Sequence, residues 1–174
     1  RSNDKLYAYS MVTRLAQPYL DMFEAHLVLA QGALSIGERE RAIGEANKAL
    51  AIKPNSELAV LTLAQVTGEA EAAGKVLATF LQKNPDAVEV RGAYARLLVE
   101  QKQLEPARDQ FLLLLKSAPD NVGALYALGI VALQLEDTKG AEQYFKRFLA
   151  VLEKSPGDTR DPFKALMILS QIAE

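Results

Sequence analysis

Residues 107–119 read ARDQFLLLLKSAP, and this stretch decides the fold of the chain. Ala107 and Phe111 recur 34 residues later as Ala141 and Phe145, and Pro119 closes the segment. A period of 34, in which a small residue precedes an aromatic residue by four positions, is typical of stacked helix-turn-helix units. The sequence therefore predicts an all-α array of helix pairs, which binds other macromolecules through a surface.

The bulk composition narrows the class of protein. The chain has 174 residues, 49% of them hydrophobic and 24% charged, as expected of a globular protein. Its formal net charge of -2 and the lack of a Lys/Arg run argue against nucleic acid as a partner. No apolar stretch is long enough to span a membrane, and the absence of cysteine excludes disulfides and thiol chemistry. Because the chain begins at Arg1, we expect an upstream segment.

The 34-residue pattern resembles that of the tetratricopeptide repeat (TPR) family. That family places Leu-Gly at positions 7 and 8, Ala at 20, Phe at 24 and Pro at 32, and Leu128-Gly129, Ala141 and Phe145 match it best. The corresponding pairs elsewhere are Leu29-Ala30, Leu63-Ala64, Tyr94-Ala95 and Leu169-Ser170. The resemblance implies a right-handed superhelical array of antiparallel helix pairs.

The same register divides the chain into repeats. They are 1–22, the second helix of a preceding repeat; 23–56, a full unit; 57–87, a shortened unit; 88–121, a full unit; 122–162, a unit with an extended second helix and a loop; and 163–174, the first helix of a further repeat. In the shortened unit the loss is expected near Gly68 or Gly74. The loop at 156–162 is expected to be a neutral insertion, with a role in specificity as the alternative.

Both ends of the chain carry apolar helical stripes. Ala8, Met11, Val12 and Leu15 are spaced as one helix face, and the register predicts the second helix of a preceding unit whose first helix is absent. At the other end the predicted face consists of Leu166, Ile168, Leu169 and Ile172. Terminal repeats that face water normally have a polar outer surface, so we interpret the chain as an excerpt from a longer array. Unusual caps are the alternative.

The sequence contains no recognisable catalytic arrangement. His26 is the single histidine and falls at position 4, where the family has Trp, so a packed structural role is expected. Metalloprotease, dinucleotide-binding, phosphate-binding and calcium-binding motifs are all missing. Glu38, Glu69 and Glu100 fall near predicted turns, where solvated charge is expected. We therefore predict a protein without catalytic residues, metal or cofactor.

The resemblance implies a binding groove lined by the first helix of each repeat. The positions that correspond are Glu24, Leu27, Gln31, Leu58, Leu61, Gln65, Glu89, Arg96, Tyr126, Ile130, Met167 and Gln171. Some family members clamp a free carboxylate with Lys, Asn and Arg, but only Arg96 fits that set. A series of glutamines beside apolar residues suits an extended or helical segment with apolar anchors. The alternative is that further repeats cover part of this stripe.

The function that follows is a protein-protein interaction scaffold or adaptor. The Ala- and Leu-rich units look most like those of bacterial TPR proteins, which implies a role in envelope assembly, secretion or proteolysis at the periplasm or outer membrane. The alternative is a regulatory or substrate-docking arm of a larger enzyme, such as a glycosyltransferase or peptidase. RNA binding is disfavoured by the acidic balance, and self-association through the apolar ends is a further hypothesis.

Overall fold

The structure, a computed structural model, describes residues 2–155 and 160–173, so residues 156–159 of the predicted loop lie outside it. All regular structure in the described residues is helical. The helices are α1 Ser2–Ala16, a 3₁₀ turn Gln17–Tyr19, α2 Phe23–Ser35, α3 Arg39–Ile52, α4 Glu57–Thr67, α5 Ala70–Lys83, α6 Val88–Glu100, α7 Leu104–Ser117, α8 Val122–Gln134, α9 Thr138–Glu153 and α10 Phe163–Ile172. This confirms the all-α prediction.

The chain forms two compact units, Arg1–Val90 and Arg91–Glu174, with the boundary inside α6. In the first unit α1 packs on α2, α2 on α3, α3 on α4 and α4 on α5. In the second unit α7 packs on α8, α8 on α9 and α9 on α10. Helices that follow one another through a short turn run antiparallel, so each unit is a series of helix pairs. We call α2, α4, α6, α8 and α10 the first helices, and α3, α5, α7 and α9 the second helices.

The ends of these helices follow from particular side chains. Ser56, Asn121 and Asp137 stand immediately before α4, α8 and α9, and their side-chain oxygens accept hydrogen bonds from backbone N–H groups in the first turn. Such caps satisfy donors that have no partner within the helix. Prolines at positions 54, 85 and 119 lie two residues beyond the ends of α3, α5 and α7, where they cannot continue the helix.

The turn between the two helices of a pair needs a left-handed residue. Gly37 has φ 86°, and Lys102 and Glu136 take the same conformation at φ 62° and 60°. The pair α4–α5 differs, because only Gly68 and Glu69 separate its helices and α4 has 11 residues where α2, α6 and α8 have 13. Gly68 has φ 77°, and a Cβ there would collide with the guanidinium of Arg39. The shortening therefore falls on the first helix and its turn.

Small residues let the paired helices approach closely. A Cβ on Gly129 of α8 would come within 2.7 Å of the Phe145 ring on α9, so glycine creates the space that the ring fills. Ala30 and Ala95, at the same position of other pairs, are completely buried. Phe145 is itself fully buried and Phe148 nearly so. Close packing of a large against a small side chain thus holds α8 and α9 together.

The buried face of α1 is centred on Tyr9, which lies outside the apolar stripe of the sequence analysis. Tyr9 is buried against α2 and α3 and Val12 is partly buried beside it, while Ala8 and Leu15 of the stripe are exposed. The register interprets α1 as a second helix without its own first helix, and no such helix accompanies it among the described residues. The Tyr9 ring lies against Gly32, where a Cβ would be 2.7 Å from the ring.

Replacing Tyr9 with phenylalanine is expected to raise the free energy of unfolding by about 1 kcal/mol. The Tyr9 hydroxyl is buried and has no hydrogen-bond partner among the described residues. Leaving such a group unpaired is unfavourable, and Phe removes the hydroxyl while the ring remains packed. Urea unfolding followed by circular dichroism measures the difference. A loss of stability in the Phe variant would show that the hydroxyl is satisfied in solution.

Candidate functional site

The predicted groove residues all lie on the first helices, and most are accessible. Eight are exposed, namely Glu24, Gln31, Leu58, Gln65, Glu89, Arg96, Met167 and Gln171. Leu61, Tyr126 and Ile130 are half-buried. Leu27 is the exception, since it is only 8% exposed and packs with Phe23, Ala49 and Ala59 in the core of the first unit. Leu27 therefore stabilises the fold and is withdrawn from the candidate surface.

In the first unit the accessible residues come from α2 and α4, which pack on each other. Leu58, Leu61 and Gln65 are spaced three and four positions apart, so they share one face of α4. Gln31 takes the equivalent position on α2, 34 residues before Gln65. Neither glutamine makes a hydrogen bond through its side chain among the described residues, so both amides are available to a ligand.

Glu24 is engaged within the first unit. Its carboxylate accepts a hydrogen bond from Lys53 at 3.1 Å, and the Lys53 ammonium also lies 4.2 Å from the centre of the Phe23 ring. The backbone hydrogen bond to Glu24 and the hydrogen bond from Lys53 hold the pKa of Glu24 below its usual value. Glu24 is thus ionised, and its carboxylate is already paired with Lys53.

In the second unit the candidate surface has an aromatic anchor. The Tyr126 ring packs edge-on against Phe145, with 5.7 Å between ring centres, and lies 5.3 Å from Phe148. Ile130 follows one turn later on α8. Because the phenylalanines hold one side of the Tyr126 ring, the ring stays in place while its remaining surface is available.

Position 4 of the helix pairs holds buried side chains, two of which are polar. His26 is 4% exposed, and its Nδ1 lies 2.6 Å from Glu45 while its Nε2 lies 2.9 Å from the carbonyl oxygen of Leu20. Arg91 is 8% exposed and donates to Gln110 at 2.7 Å. The two pairs have the same spacing of 19 residues, from the first helix to the second. The prediction of a packed structural histidine is confirmed.

Equivalent positions of the other two pairs carry matching apolar residues. Val60 stands opposite Val76 in the register of the shortened unit, and Leu125 opposite Tyr144. The sequence analysis noted that position 4 lacks the Trp of the family. It did not identify the residue at position 23 that accompanies the replacement. The sequence did contain this signal. In the units starting at Phe23 and Val88, the polar residue at position 4 is followed 19 positions later by a second polar residue.

No three His, Asp or Glu side chains among the described residues come close enough to hold a metal ion. No helix within the described part of the chain is long and apolar enough to cross a membrane.

Comparison with protein families identifies the repeat. Residues 67–129 match the family model of the tetratricopeptide repeat. These residues carry the tetratricopeptide repeat. The resemblance seen in the sequence is thereby confirmed, and the TPR fold is that of a protein-interaction scaffold. TPR units are in general non-catalytic interaction modules. No curated protein sequence matches the chain.

Solved structures agree with the TPR fold. MamA from Desulfovibrio magneticus RS-1 is 17% identical, with a TM-score of 0.68 and 87% of each chain covered. PilF from Pseudomonas aeruginosa is 26% identical, with a TM-score of 0.66, covering 86% of this chain and 67% of PilF. PilW, a widely conserved type IV pilus biogenesis factor, is 17% identical, with a TM-score of 0.69, covering 99% of this chain and 79% of PilW.

Proposed function

We propose that this TPR chain is a non-catalytic adaptor that binds a peptide or protein segment on the faces of its first helices. The observation that carries the proposal is the equivalent placement of Gln31 and Gln65 on α2 and α4, both exposed and without side-chain hydrogen bonds among the described residues. A primary amide both donates and accepts hydrogen bonds, so it can pair with the N–H and C=O groups of a bound backbone.

Apolar side chains beside these amides supply the binding free energy. Leu58 is 57% exposed, and Leu61 extends the same face of α4. Covering a leucine fully contributes about 1.5–3 kcal/mol, so covering the exposed part of Leu58 contributes roughly half of that. A segment with small or medium apolar anchors between backbone contacts therefore fits the first unit.

The second unit presents a separate set of contacts. Tyr126 is a rigid aromatic anchor with Ile130 beside it, Arg96 of α6 is exposed, and α10 adds Met167 and Gln171. Tyr and Arg are enriched among the residues that dominate binding free energies. Methionine adapts to different apolar partners because its side chain is flexible and polarizable.

We further propose that the adaptor serves a bacterial cell envelope, in assembly, secretion or proteolysis. The similarity to PilW, which is a type IV pilus biogenesis factor, supports this role. A periplasmic or outer-membrane-associated location goes with it.

A paired affinity experiment tests the adaptor function. The tagged chain and a variant with Gln31→Ala, Gln65→Ala and Arg96→Ala are used to capture proteins from cells that express it, followed by quantitative mass spectrometry. Losing three polar contacts should reduce recovery of the partner about tenfold or more. Tyr126 stays unchanged in this variant, because its ring packs on Phe145 and Phe148 and alanine would also disturb the fold.

The matched control carries three alanines on second helices, at the exposed residues Asn47, Gln82 and Lys139. Recovery should match that of the unchanged chain. Equal recovery by the chain and by both variants would contradict binding at the first helices. Absence of any captured protein would contradict the adaptor role and favour an arm of a larger enzyme.

A further inference from the structure

Helix α7 differs from the other second helices at two exposed positions. In the common register these positions hold Asn47-Lys48 in α3, Ala78-Thr79 in α5, Leu112-Leu113 in α7 and Lys146-Arg147 in α9. Leu112 is 36% exposed and Leu113 is 39% exposed. The other three helices carry polar or small residues there, as expected of a face turned to water. Two adjacent leucines at this place favour a covered surface.

The two leucines form one wall of a groove between α7 and α9, which lies entirely within the second unit. The groove has a volume of about 640 Å³. Leu115 contributes to it from α7, and Tyr144 faces it from α9. We call this the α7–α9 groove. It is formed by second helices and does not include any of the predicted first-helix residues.

The charged side chains around the α7–α9 groove favour a ligand of one charge over the other. Lys116 and Arg147 line it, together with the single carboxylate of Asp109. Lys116 makes no hydrogen bond or ion pair among the described residues, while Arg147 uses one N–H to donate to the carbonyl oxygen of Pro119 at 3.0 Å. A guanidinium has five N–H donors, so Arg147 keeps others for a ligand. The groove is locally cationic in a chain of formal net charge -2.

We propose that the α7–α9 groove is a second docking surface, which binds an acidic amphipathic segment of a partner protein. Apolar side chains of that segment pack on Leu112 and Leu113, and its carboxylates pair with Lys116 and Arg147. Charge complementarity carries the choice of an acidic partner, because opposite charges steer association and disfavour basic segments. A helix with apolar residues three or four positions apart presents them on one face, which is how an amphipathic helix occupies an apolar groove.

Selection from a displayed library of random 15-residue peptides tests this proposal with defined variants of the full chain. The first variant, Leu112→Ala with Leu113→Thr, copies Ala78 and Thr79 of α5 and leaves the fold intact, because both leucines are exposed. Lys116→Glu reverses a charge that has no partner among the described residues. Leu15→Ala, at an exposed leucine of α1, is the control.

The expected result is enrichment of acidic peptides with two apolar residues three or four positions apart. Their affinity, measured by fluorescence anisotropy, should fall at least about tenfold in the Leu112/Leu113 variant, fall severalfold in Lys116→Glu and stay unchanged in Leu15→Ala. Enrichment of basic peptides, or equal binding by the Leu112/Leu113 variant, would overturn the proposal, as would a library without enrichment. Analytical ultracentrifugation provides a further test. A dimer that the Leu112/Leu113 variant abolishes would overturn the proposal, because the groove would then bind a second copy of the chain.

Discussion

Replacing Phe145 with alanine lowers the free energy of unfolding by about 3–5 kcal/mol, the range expected for a completely buried phenylalanine. Phe145 is 0% exposed. Its ring fills the space that Gly129 leaves on α8 and supports the Tyr126 ring at 5.7 Å. Alanine would leave a cavity at the centre of the α8–α9 pair, because glycine on the facing helix has no side chain with which to fill it.

Chemical unfolding in urea, followed by circular dichroism, measures this loss. Phe163→Ala is the matched control, since it removes the same atoms from a side chain that is 61% exposed. The control should change stability by less than about 1 kcal/mol. Similar losses in the two variants would mean that Phe145 is not packed between α8 and α9 as described.

Replacing His26 with leucine is expected to cost about 2–3 kcal/mol, although leucine preserves much of the apolar packing. The substitution removes the hydrogen bond to the Leu20 carbonyl oxygen at 2.9 Å and leaves that oxygen without its donor. It also deprives the Glu45 carboxylate of its partner at 2.6 Å. Lys48→Ala is the control, because Lys48 contacts the same carboxylate at 2.9 Å from an exposed position and should contribute less than about 1 kcal/mol.

The difference between the wild type and His26→Leu should narrow in acid. Burial raises the pKa of Glu45, but hydrogen bonds from Lys48 and His26 outweigh it and hold this pKa below its usual value. A carboxyl group whose pKa is lowered by folding contributes stability above its unfolded pKa, about 4.3 for Glu, and loses it as the pH falls through the folded pKa. Urea titrations at pH 7 and at decreasing pH below about 4.3 test this. A constant difference would contradict the His26–Glu45 interaction.

The all-α fold could be read from the sequence because its determinants are local and repeated. A small residue recurs at positions 8 and 20 of all four described pairs, and a large residue occupies position 24 in three of them, with Ala46 as the exception. Proline after a second helix and a left-handed residue between paired helices act within a few residues of chain. The first helices begin at Phe23, Glu57, Val88, Val122 and Phe163, the residues that the register sets at position 1.

The candidate surface was less accessible to sequence reasoning, because exposure depends on what packs next to each helix. Leu27 occupies the same register position as Leu61 and Tyr126, yet it is buried against Phe23 and Ala49 while the other two are half-buried. Exposure in α1 depends on packing in the same way. Ala8 and Leu15 of the apolar stripe are exposed, while Tyr9, which lies outside the stripe, is buried against α2 and α3.

By itself, the sequence determined that this protein is a series of helix pairs and that its single histidine is packed, since period, residue size and turn chemistry act along the chain. Only the tertiary structure decided which side chains stay accessible, how His26 and Arg91 find acceptors 19 residues away, and that Leu112 and Leu113 line a cationic groove with α9. These properties depend on distances between helices that are separate in sequence, and such distances are set by packing.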